Sequence, residues 1–237
     1  MSDVRGRVVA VTGASGNLGA SVARLFASHG AKLVLLDRSD AHIREVLGEI
    51  ATSETARAIA VDVTDEDAVA AALDSANAAL GGLDALICTV GGFKGGVTTM
   101  ESPWADWDSM VTLNLKSVVA CARAALPTFL AQKSGAIVNV ASMAALAASP
   151  GSAAYGASKA AVLHFTETLA AEVKASGVRV NAILPGTMDT PQNRSWMSAV
   201  DLEKAVALDA VAEAIFFLAS NAARGVTGVA LPVTGKG

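Results

Sequence analysis

The sequence predicts an α/β fold: a doubly wound sheet of seven mainly parallel strands with helices on both faces. Apolar runs of strand length alternate with longer helical patterns from one end of the chain to the other, which is typical of βαβ units. The strand runs are largely apolar, as expected for strands buried on both faces. No linker, repeat or low-complexity tract interrupts the alternation, so residues 1–237 are predicted to form one domain.

Each predicted element follows from its own composition and length. Seven short runs rich in aliphatic residues are predicted strands, namely 7–12, 32–37, 57–61, 83–88, 136–141, 178–184 and 229–233. The longer segments between them are predicted helices, namely 17–28, 40–51, 65–80, 107–131, 153–175 and 209–220. Two stretches, 91–106 and 185–204, are predicted to be irregular. Both follow strands at the carboxyl edge of the sheet, where ligand-covering loops belong.

The charge and hydropathy of the chain argue against two classes of partner. The formal net charge is −4 and there is no basic cluster, so neither nucleic acid nor an anionic membrane is an expected partner. Hydrophobic residues make up 52% of the chain, but charged residues and glycines interrupt every apolar stretch before it reaches the length of a membrane span. So large an apolar fraction also favours burial of some surface against other copies of the chain.

The cysteines and the first residues of the chain bear on its location. Cys88 and Cys121 are the two cysteines, and because they lack a metal-like spacing we expect buried, reduced thiols. No metal site is predicted. Residues 1–7 lack an apolar targeting segment, which leads us to expect a cytoplasmic protein.

A glycine-rich turn joins the first predicted strand to the first predicted helix. Small residues there let backbone amides approach a diphosphate, and the helix amino terminus adds partial positive charge without a lysine. The strand before and the helix after the turn favour a dinucleotide site over a purely structural turn. The candidate contacts are Gly13, Ser15, Gly16, Asn17, Leu18 and Gly19.

Asp37 ends the second predicted strand, where a carboxylate accepts hydrogen bonds from both hydroxyls of an adenosine ribose. Because the same carboxylate repels a 2′-phosphate, NAD(H) is favoured as the cofactor. Arg38 is adjacent and offers a partner for such a phosphate, so NADP(H) stays open. Asp62 and Val63 close the third strand; Asp62 either hydrogen-bonds the adenine edge or only terminates the strand.

Ser142, Tyr155 and Lys159 supply the parts of a proton-transfer site for a carbonyl or an alcohol. Tyr155 and Lys159 are four residues apart in a predicted helix, so both side chains lie on one helix face. A phenol has a pKa of about 10 in water, and a nearby ammonium lowers that pKa towards the neutral range. Ser142 follows a buried strand, which places its hydroxyl at the carboxyl edge of the sheet.

With the glycine turn, Asp37, Ser142 and Tyr155-x-x-x-Lys159 in this order, the sequence resembles the short-chain dehydrogenase/reductase family. The resemblance covers essentially the whole chain and is to the compact single-domain branch, which has a seven-stranded Rossmann sheet. It implies that Tyr155 is the acid/base, that Lys159 lowers its pKa and holds the nicotinamide ribose, and that Ser142 orients the substrate oxygen. Asn114 matches the family asparagine whose helix kink holds a proton-relay water.

The segment after the sixth predicted strand also matches the family. By resemblance it touches the nicotinamide, with Thr190 near the carboxamide or the phosphates. Proline and glycine suit a plain strand-ending turn as well, so both interpretations stay open here. The residues concerned are Pro185, Gly186, Thr187 and Thr190.

Three features depart from the family pattern. Asn17 stands where the compact branch usually has its middle glycine, and asparagine tolerates left-handed backbone better than most residues. The usual Asn-Asn-Ala-Gly is replaced by Cys-Thr-Val-Gly at 88–91, which removes a side-chain amide that braces the sheet and leaves Thr89 as a weaker substitute. Cofactor contacts of Thr89, Val90 and Gly91 would therefore rely on backbone atoms. Residues 189–194 and the glycine spacing are similar to dihydropteridine reductases, which generally lack the serine, so Ser142 argues against that assignment.

The resemblance implies an NAD(H)-dependent oxidoreductase that interconverts a neutral, moderately apolar secondary alcohol and ketone by hydride transfer, with tyrosine as the acid/base. A dihydropteridine or quinone reductase is the alternative within enzymes, and a catalytically silent dinucleotide-binding sensor or scaffold is the alternative outside them. Family resemblance also implies a homotetramer or homodimer, with the predicted helices 107–131 and 153–175 as its contacts.

Apolar side chains in the predicted covering loops favour a neutral substrate over a densely charged one. They are Phe93, Trp104, Trp107, Met143, Leu146, Trp196 and Met197. Arg194 lies in the same loops and either binds a carboxylate or faces solvent.

Overall fold

The computed structural model describes residues 4–235. Its centre is a sheet of seven strands in the order β3-β2-β1-β4-β5-β6-β7. The strands are β1 (Val8–Thr12), β2 (Lys32–Asp37), β3 (Ala56–Ala60), β4 (Ala85–Cys88), β5 (Gly135–Val140), β6 (Val178–Pro185) and β7 (Ala230–Val233). Within residues 4–235 every pairing between these strands is parallel, which confirms the predicted fold class.

Helices connect the strands and cover both faces of the sheet. They are α1 (Asn17–Ser28), α2 (Asp40–Leu47), α3 (Glu49–Thr52), α4 (Glu66–Leu80), α5 (Trp104–Met110), α6 (Ser117–Gln132), α7 (Ala153–Val173), α8 (Pro191–Arg194), α9 (Ala199–Lys204) and α10 (Leu208–Ala219). A π-helical turn, Val111–Lys116, joins α5 to α6. Short 3₁₀ turns occupy Met143–Ala145, Lys174–Ser176 and Asn221–Ala223.

The strand bounds agree with the sequence prediction to within two residues, but the predictions for two helices and one irregular stretch need correction. The predicted helix 40–51 is broken at Gly48, whose positive φ of 52° ends α2. The predicted helix 107–131 begins earlier, at Trp104, because Pro103 at its N-cap needs no N–H partner. The stretch 185–204 is not wholly irregular, since Thr190 and Ser198 cap the short helices α8 and α9.

Two apolar clusters fill the space on either side of the sheet. One packs α4, α6 and α7 against one face, with Phe129 among its fully buried members. The other packs α1, α2 and α10 against the opposite face, with Phe26 fully buried. The faces are therefore closed, and the carboxyl edge of the sheet carries the exposed loops. Among the described residues, no helix combines the length and apolar character needed to cross a membrane.

Candidate active site

The strand order reverses between β1 and β4, because the chain runs outward from β1 to β3 and then returns to the other side of β1. In open α/β sheets such a reversal opens a crevice at the carboxyl ends of the strands, where ligands bind. Thr89 closes the floor of this crevice: its Oγ1 donates to Thr12 O at 2.6 Å, and its N–H donates to Thr12 Oγ1 at 3.1 Å. The threonine thus braces β1 against β4 where the family uses an asparagine.

The glycine turn lies at one side of the crevice and is tightly packed. Gly13 has a φ of 64°, and a Cβ on Gly19 would lie only 2.0 Å from Gly13 O, so neither position accepts a side chain. Among residues 4–235, no side chain accepts a hydrogen bond from the first-turn amides of α1, whereas Ser39 and Asp65 cap α2 and α4. The backbone N–H groups at the start of α1 are therefore available to bind a diphosphate.

Asn17 does not adopt the left-handed backbone conformation that asparagine tolerates. It is the first residue of α1, and the described non-glycine residue with positive φ is Lys133, far from the turn. An asparagine therefore fits here without backbone strain, and the missing glycine does not disturb the start of the helix.

The Asp37 carboxylate is attached to the glycine turn. Its Oδ2 accepts hydrogen bonds from Ser15 N at 3.0 Å and from Ser15 Oγ at 2.6 Å, and its Oδ1 accepts one from Arg38 N at 2.7 Å. The turn and the carboxylate expected to meet the ribose are therefore one hydrogen-bonded unit. Asp62 instead accepts from Thr64 N and Thr64 Oγ1, which lower the pKa of its carboxyl and close the turn after β3.

Lys159 lies in the second turn of α7 and is only 4% exposed. Its Nζ donates to Val140 O at 2.9 Å, so the lysine is anchored to the end of β5. Burial disfavours the ammonium form and lowers the pKa of Lys159 to about 8. The Nζ atom lies 6.0 Å from the centroid of the Tyr155 ring, which confirms that both side chains share one face of α7.

Tyr155 departs from the expected electrostatics. Burial raises the pKa of its phenol, and hydrogen bonding with the Ser142 side chain acts in the opposite direction. The predicted lowering of the Tyr155 pKa by Lys159 is therefore not found, because desolvation of the phenolate dominates. The Ser142 hydroxyl also accepts from Ala144 N at 3.2 Å, which starts the 3₁₀ turn after β5.

Asn114 is fully buried in the π-helical turn, so the predicted helix irregularity is present at this residue. Its Oδ1 accepts from Gly92 N at 2.9 Å, while its Nδ2 donates to Gly92 O at 3.2 Å and to Ser158 Oγ at 2.9 Å. A Cβ on Gly91 would lie 3.0 Å from both Asn114 Oδ1 and Lys159 Nζ. The loop after β4 therefore packs closely against two of the predicted site residues.

Sequence reasoning missed Ser158, which completes this network. Its side chain is 1% exposed and contacts both Asn114 and the Tyr155 carbonyl. Its one signal in the sequence is its position three residues after Tyr155, which places it on the same helix face.

Covering loops bring apolar side chains to the carboxyl edge. The Phe93 ring, 65% exposed, meets the Tyr155 ring edge-on with centroids 5.0 Å apart. Trp104, Leu146 and Trp196 are also exposed, and Met143, Trp107 and Met197 are half-buried.

Two of the basic side chains of the covering loops are ion-paired. Arg194 binds the Asp189 carboxylate through Nε at 2.5 Å and Nη2 at 2.7 Å. The Nζ of Lys94 lies 2.6 Å from Asp106 Oδ1. A bidentate pair satisfies the charge of Arg194, so this arginine does not present a free cation to a substrate.

The segment after β6 is held by backbone bonds to β7 and to the residues before α10. Gly186 N donates to Val233 O at 3.0 Å, and Val206 N donates to Thr187 O at 2.9 Å. Thr190 is buried and caps α8 through Asn193 N at 3.1 Å. The segment therefore has a fixed path at the carboxyl edge, where the sequence argument expected a nicotinamide contact.

A model of the short-chain dehydrogenase family matches residues 7–201, which contain the turn, Asp37 and the four proposed catalytic residues. The chain belongs to the short-chain dehydrogenase/reductase family. Members of this family are oxidoreductases that bind a nicotinamide dinucleotide, and the Rossmann-type sheet described above is the family's fold.

Relatives of known activity extend the comparison. The chain is 38% identical over 237 residues to cis-4-hydroxycyclohexanecarboxylate dehydrogenase of Sinomonas cyclohexanicum, covering 97% of this chain and 95% of the relative. The structure of NAD⁺-bound xylitol dehydrogenase is 28% identical with a TM-score of 0.90, covering 98% of this chain and 99% of the other. ElxO with NADP bound is 26% identical, also with a TM-score of 0.90, covering 99% and 98%. The structural neighbours thus include one protein with NAD⁺ bound and one with NADP bound.

Proposed function

We propose that this chain is an NAD(H)-dependent oxidoreductase that interconverts a neutral, moderately apolar secondary alcohol and its ketone. The observation that carries the proposal is the meeting of Ser142, Tyr155, Lys159 and Asn114 at the carboxyl edge, linked by the contacts described above. A core tyrosine beside a solvated lysine would show the opposite burial, since here Tyr155 is half-buried and Lys159 is buried.

Each residue has one task in the proposed reaction. When bound, the nicotinamide supplies hydride chemistry. In alcohol oxidation the hydroxyl proton passes to the Tyr155 oxygen as the carbon loses hydride; in ketone reduction Tyr155 returns that proton. Ser142 donates its hydroxyl hydrogen to the substrate oxygen, and Lys159 provides an ammonium that holds the nicotinamide ribose.

The glycine turn and Asp37 support NAD(H) as the cofactor. The uncapped start of α1 offers amides to a diphosphate, and the carboxylate next to it accepts from ribose hydroxyls while repelling a 2′-phosphate. Further contacts are proposed for the backbone of Thr89, Val90 and Gly91 on one side and for residues 185–190 on the other. Binding of NADP(H) at equal affinity by equilibrium titration would contradict this preference.

Two observations support a neutral substrate. Phe93 and the other apolar loop residues line the carboxyl edge, and two basic side chains of the same loops, Lys94 and Arg194, are already paired with carboxylates. The Sinomonas cyclohexanicum relative is named for a substrate whose hydroxyl is on a saturated ring that also bears a carboxylate, so it supports the ring, whereas the neutral charge rests on the apolar loops and the Asp189–Arg194 pair of this chain. We therefore propose neutral cyclic secondary alcohols and ketones as the substrate class.

A substrate panel tests this proposal. Cyclohexanol, cyclohexanone, 4-hydroxycyclohexanecarboxylate, a quinonoid dihydropteridine and a quinone are each assayed with NAD(H) and with NADP(H). We expect the highest kcat/KM for the neutral ring compounds with NAD(H). Preference for the pterin or the quinone would instead favour the corresponding reductase, and cofactor binding without any turnover would favour a sensor.

Replacing Tyr155 by Phe separates these outcomes further. The variant keeps the ring but loses the hydroxyl, so turnover should fall by at least about 100-fold while NAD binding is retained. Cofactor fluorescence measures the binding and steady-state kinetics measure the turnover. A folded variant with near-normal turnover would show that Tyr155 is not the acid/base.

A further inference from the structure

Ser158 joins two parts of the proposed site through one buried hydroxyl. Its Oγ donates to Tyr155 O at 2.7 Å, within the first turn of α7. The same oxygen accepts from Asn114 Nδ2 at 2.9 Å, across from the π-helical turn. The hydroxyl therefore uses its one donor and one of its acceptor positions inside the protein.

The hydrogen bonds continue from Asn114 to the loop after β4. The Asn114 side chain binds both backbone groups of Gly92: its Oδ1 accepts from Gly92 N at 2.9 Å, and its Nδ2 donates to Gly92 O at 3.2 Å. Phe93 follows Gly92 directly, and its ring lies 5.0 Å from the Tyr155 ring. The loop is held again further along, where Gly96 N donates to Gly151 O at 2.8 Å.

We propose that Ser158 is a positioning residue for the reaction proposed above: it orients Asn114, which holds Gly92 and so keeps Phe93 packed against Tyr155. Ser158 is 1% exposed and contacts the Tyr155 backbone carbonyl, whereas its effect on the Tyr155 ring passes through three other residues, Asn114, Gly92 and Phe93. The expected effect of Ser158 on turnover rests on the proposed function, whereas its expected effect on the packing and pKa of Tyr155 does not.

Removal of the Ser158 hydroxyl leaves Asn114 Nδ2 with weaker partners. Gly92 O lies at 3.2 Å and Met110 Sδ at 3.6 Å, and neither replaces the bond of 2.9 Å to Ser158. The Asn114 amide then turns or shifts, the clamp on Gly92 loosens, and Phe93 covers Tyr155 less completely. Because burial raises the pKa of Tyr155, greater solvent access brings that pKa down.

Thr166 provides a matched control two turns further along the same helix. Its Oγ1 donates to Val162 O at 2.8 Å and accepts from Asn139 Nδ2 at 2.9 Å, and the residue is fully buried. Thr166→Val therefore removes the same two kinds of hydrogen bond as Ser158→Ala, but at a place remote from Asn114 and Tyr155. Both variants are expected to lose stability, and the effect on Tyr155 distinguishes them.

The chain contains a single tyrosine, so the absorbance of tyrosinate during a pH titration reports Tyr155 alone. With cofactor and substrate left out, we expect Ser158→Ala to have a lower Tyr155 pKa than the wild type and Thr166→Val to match the wild type. An unchanged pKa in Ser158→Ala, or equal shifts in the two variants, would overturn the inference. This titration needs no turnover, so it decides the role of Ser158 even if the proposed substrate class is wrong.

Kinetics give the second measurement. For the alcohol oxidised by the wild type, Ser158→Ala should reduce kcat about tenfold with little change in the alcohol KM, and Thr166→Val should stay within about twofold. The acid limb of the kcat/KM profile should move in the same direction as the tyrosine titration. If Ser158→Ala does not fold, Ser158→Cys keeps a weak donor and acceptor, and intermediate shifts support the inference whereas wild-type values overturn it.

Discussion

Burial acts on the two central residues of the site in opposite senses. It lowers the pKa of Lys159 to about 8 and raises the pKa of Tyr155, because each charged form loses solvation. The pKa values of the phenol and the amine, which are close to each other in water, therefore move apart, and the Lys159 ammonium becomes the stronger acid of the two. Small changes in solvent access at Tyr155, such as those expected when Ser158 is replaced and Phe93 packs less closely, therefore change the pKa of Tyr155.

The Lys159 pKa predicts a dependence of stability on pH. In the unfolded chain the amine titrates near 10.5 and in the folded chain near 8, so between these values the unfolded chain binds more protons and the free energy of unfolding rises with pH. Lys159→Met removes this contribution. The free energy of unfolding of the variant minus that of the wild type, measured by urea unfolding, should therefore fall by on the order of 3 kcal/mol from pH 7 to pH 10.5. A constant difference would contradict the burial of a titrating Lys159.

The Asp189–Arg194 pair predicts a change in substrate preference. In Asp189→Asn the guanidinium loses its anionic partner and becomes available to a carboxylate. We expect the ratio of kcat/KM for 4-hydroxycyclohexanecarboxylate to that for cyclohexanol to rise about tenfold. Arg194→Met is the control, since it removes the cation and should leave the ratio at or below the wild-type value. No change in Asp189→Asn would show that Arg194 lies outside the substrate's reach.

At the scale of elements, the contact between the glycine turn and α1 depends on how closely two backbones approach. Gly19 lies in α1, yet it packs on the carbonyl of Gly13 before the helix begins. The Asp37 carboxylate ties the same turn to the end of β2. The turn is therefore rigid before any ligand binds, which lowers the entropic cost of binding a diphosphate there.

Gly19→Ala tests this packing. Its Cβ would meet Gly13 O at 2.0 Å, so α1 must shift, and we expect a loss of about 2–4 kcal/mol in stability together with loss of dinucleotide binding. Gly225→Ala is the matched control, because among the described residues its Cβ meets no atom within 4 Å and should cost less than about 0.5 kcal/mol. Chemical unfolding and cofactor titration measure both variants. A Gly19→Ala protein that binds the cofactor normally would contradict the close approach.

At the scale of the whole molecule, the closed sheet faces leave α6 and α7 as candidate surfaces for assembly. Leu130 on α6 is apolar and 42% exposed, so it is a position at which a substitution can test this surface. The homotetramer or homodimer implied by family resemblance remains a prediction.

Light scattering at micromolar concentration tests the assembly. We expect a mass of two or four chains, because the high apolar fraction of the sequence favours burial between copies. A Leu130→Glu variant should shift the mass towards the monomer if α6 forms the interface, whereas Val97→Glu, on the covering loop, should not. A monomeric wild type would show that the apolar surface serves another purpose.

The sequence by itself determined the elements and the types of residue at the site. Strand and helix periods are local properties, so the seven strands, the glycine turn and the shared face of Tyr155 and Lys159 were predictable from neighbouring residues. Asn114 was recognisable through family resemblance alone, since nothing local distinguishes it from an ordinary helical residue. Only the tertiary structure decided the bond from Asn114 to Ser158, the packing of Phe93 on Tyr155 and the pairing of Arg194 with Asp189. The first two contacts and the direction of the Tyr155 pKa depend on how separate segments fold together at the site and on how much water that folding excludes, which local periodicity does not encode. The pair of Asp189 and Arg194 is local in sequence, but it depends on the irregular path of the backbone after β6.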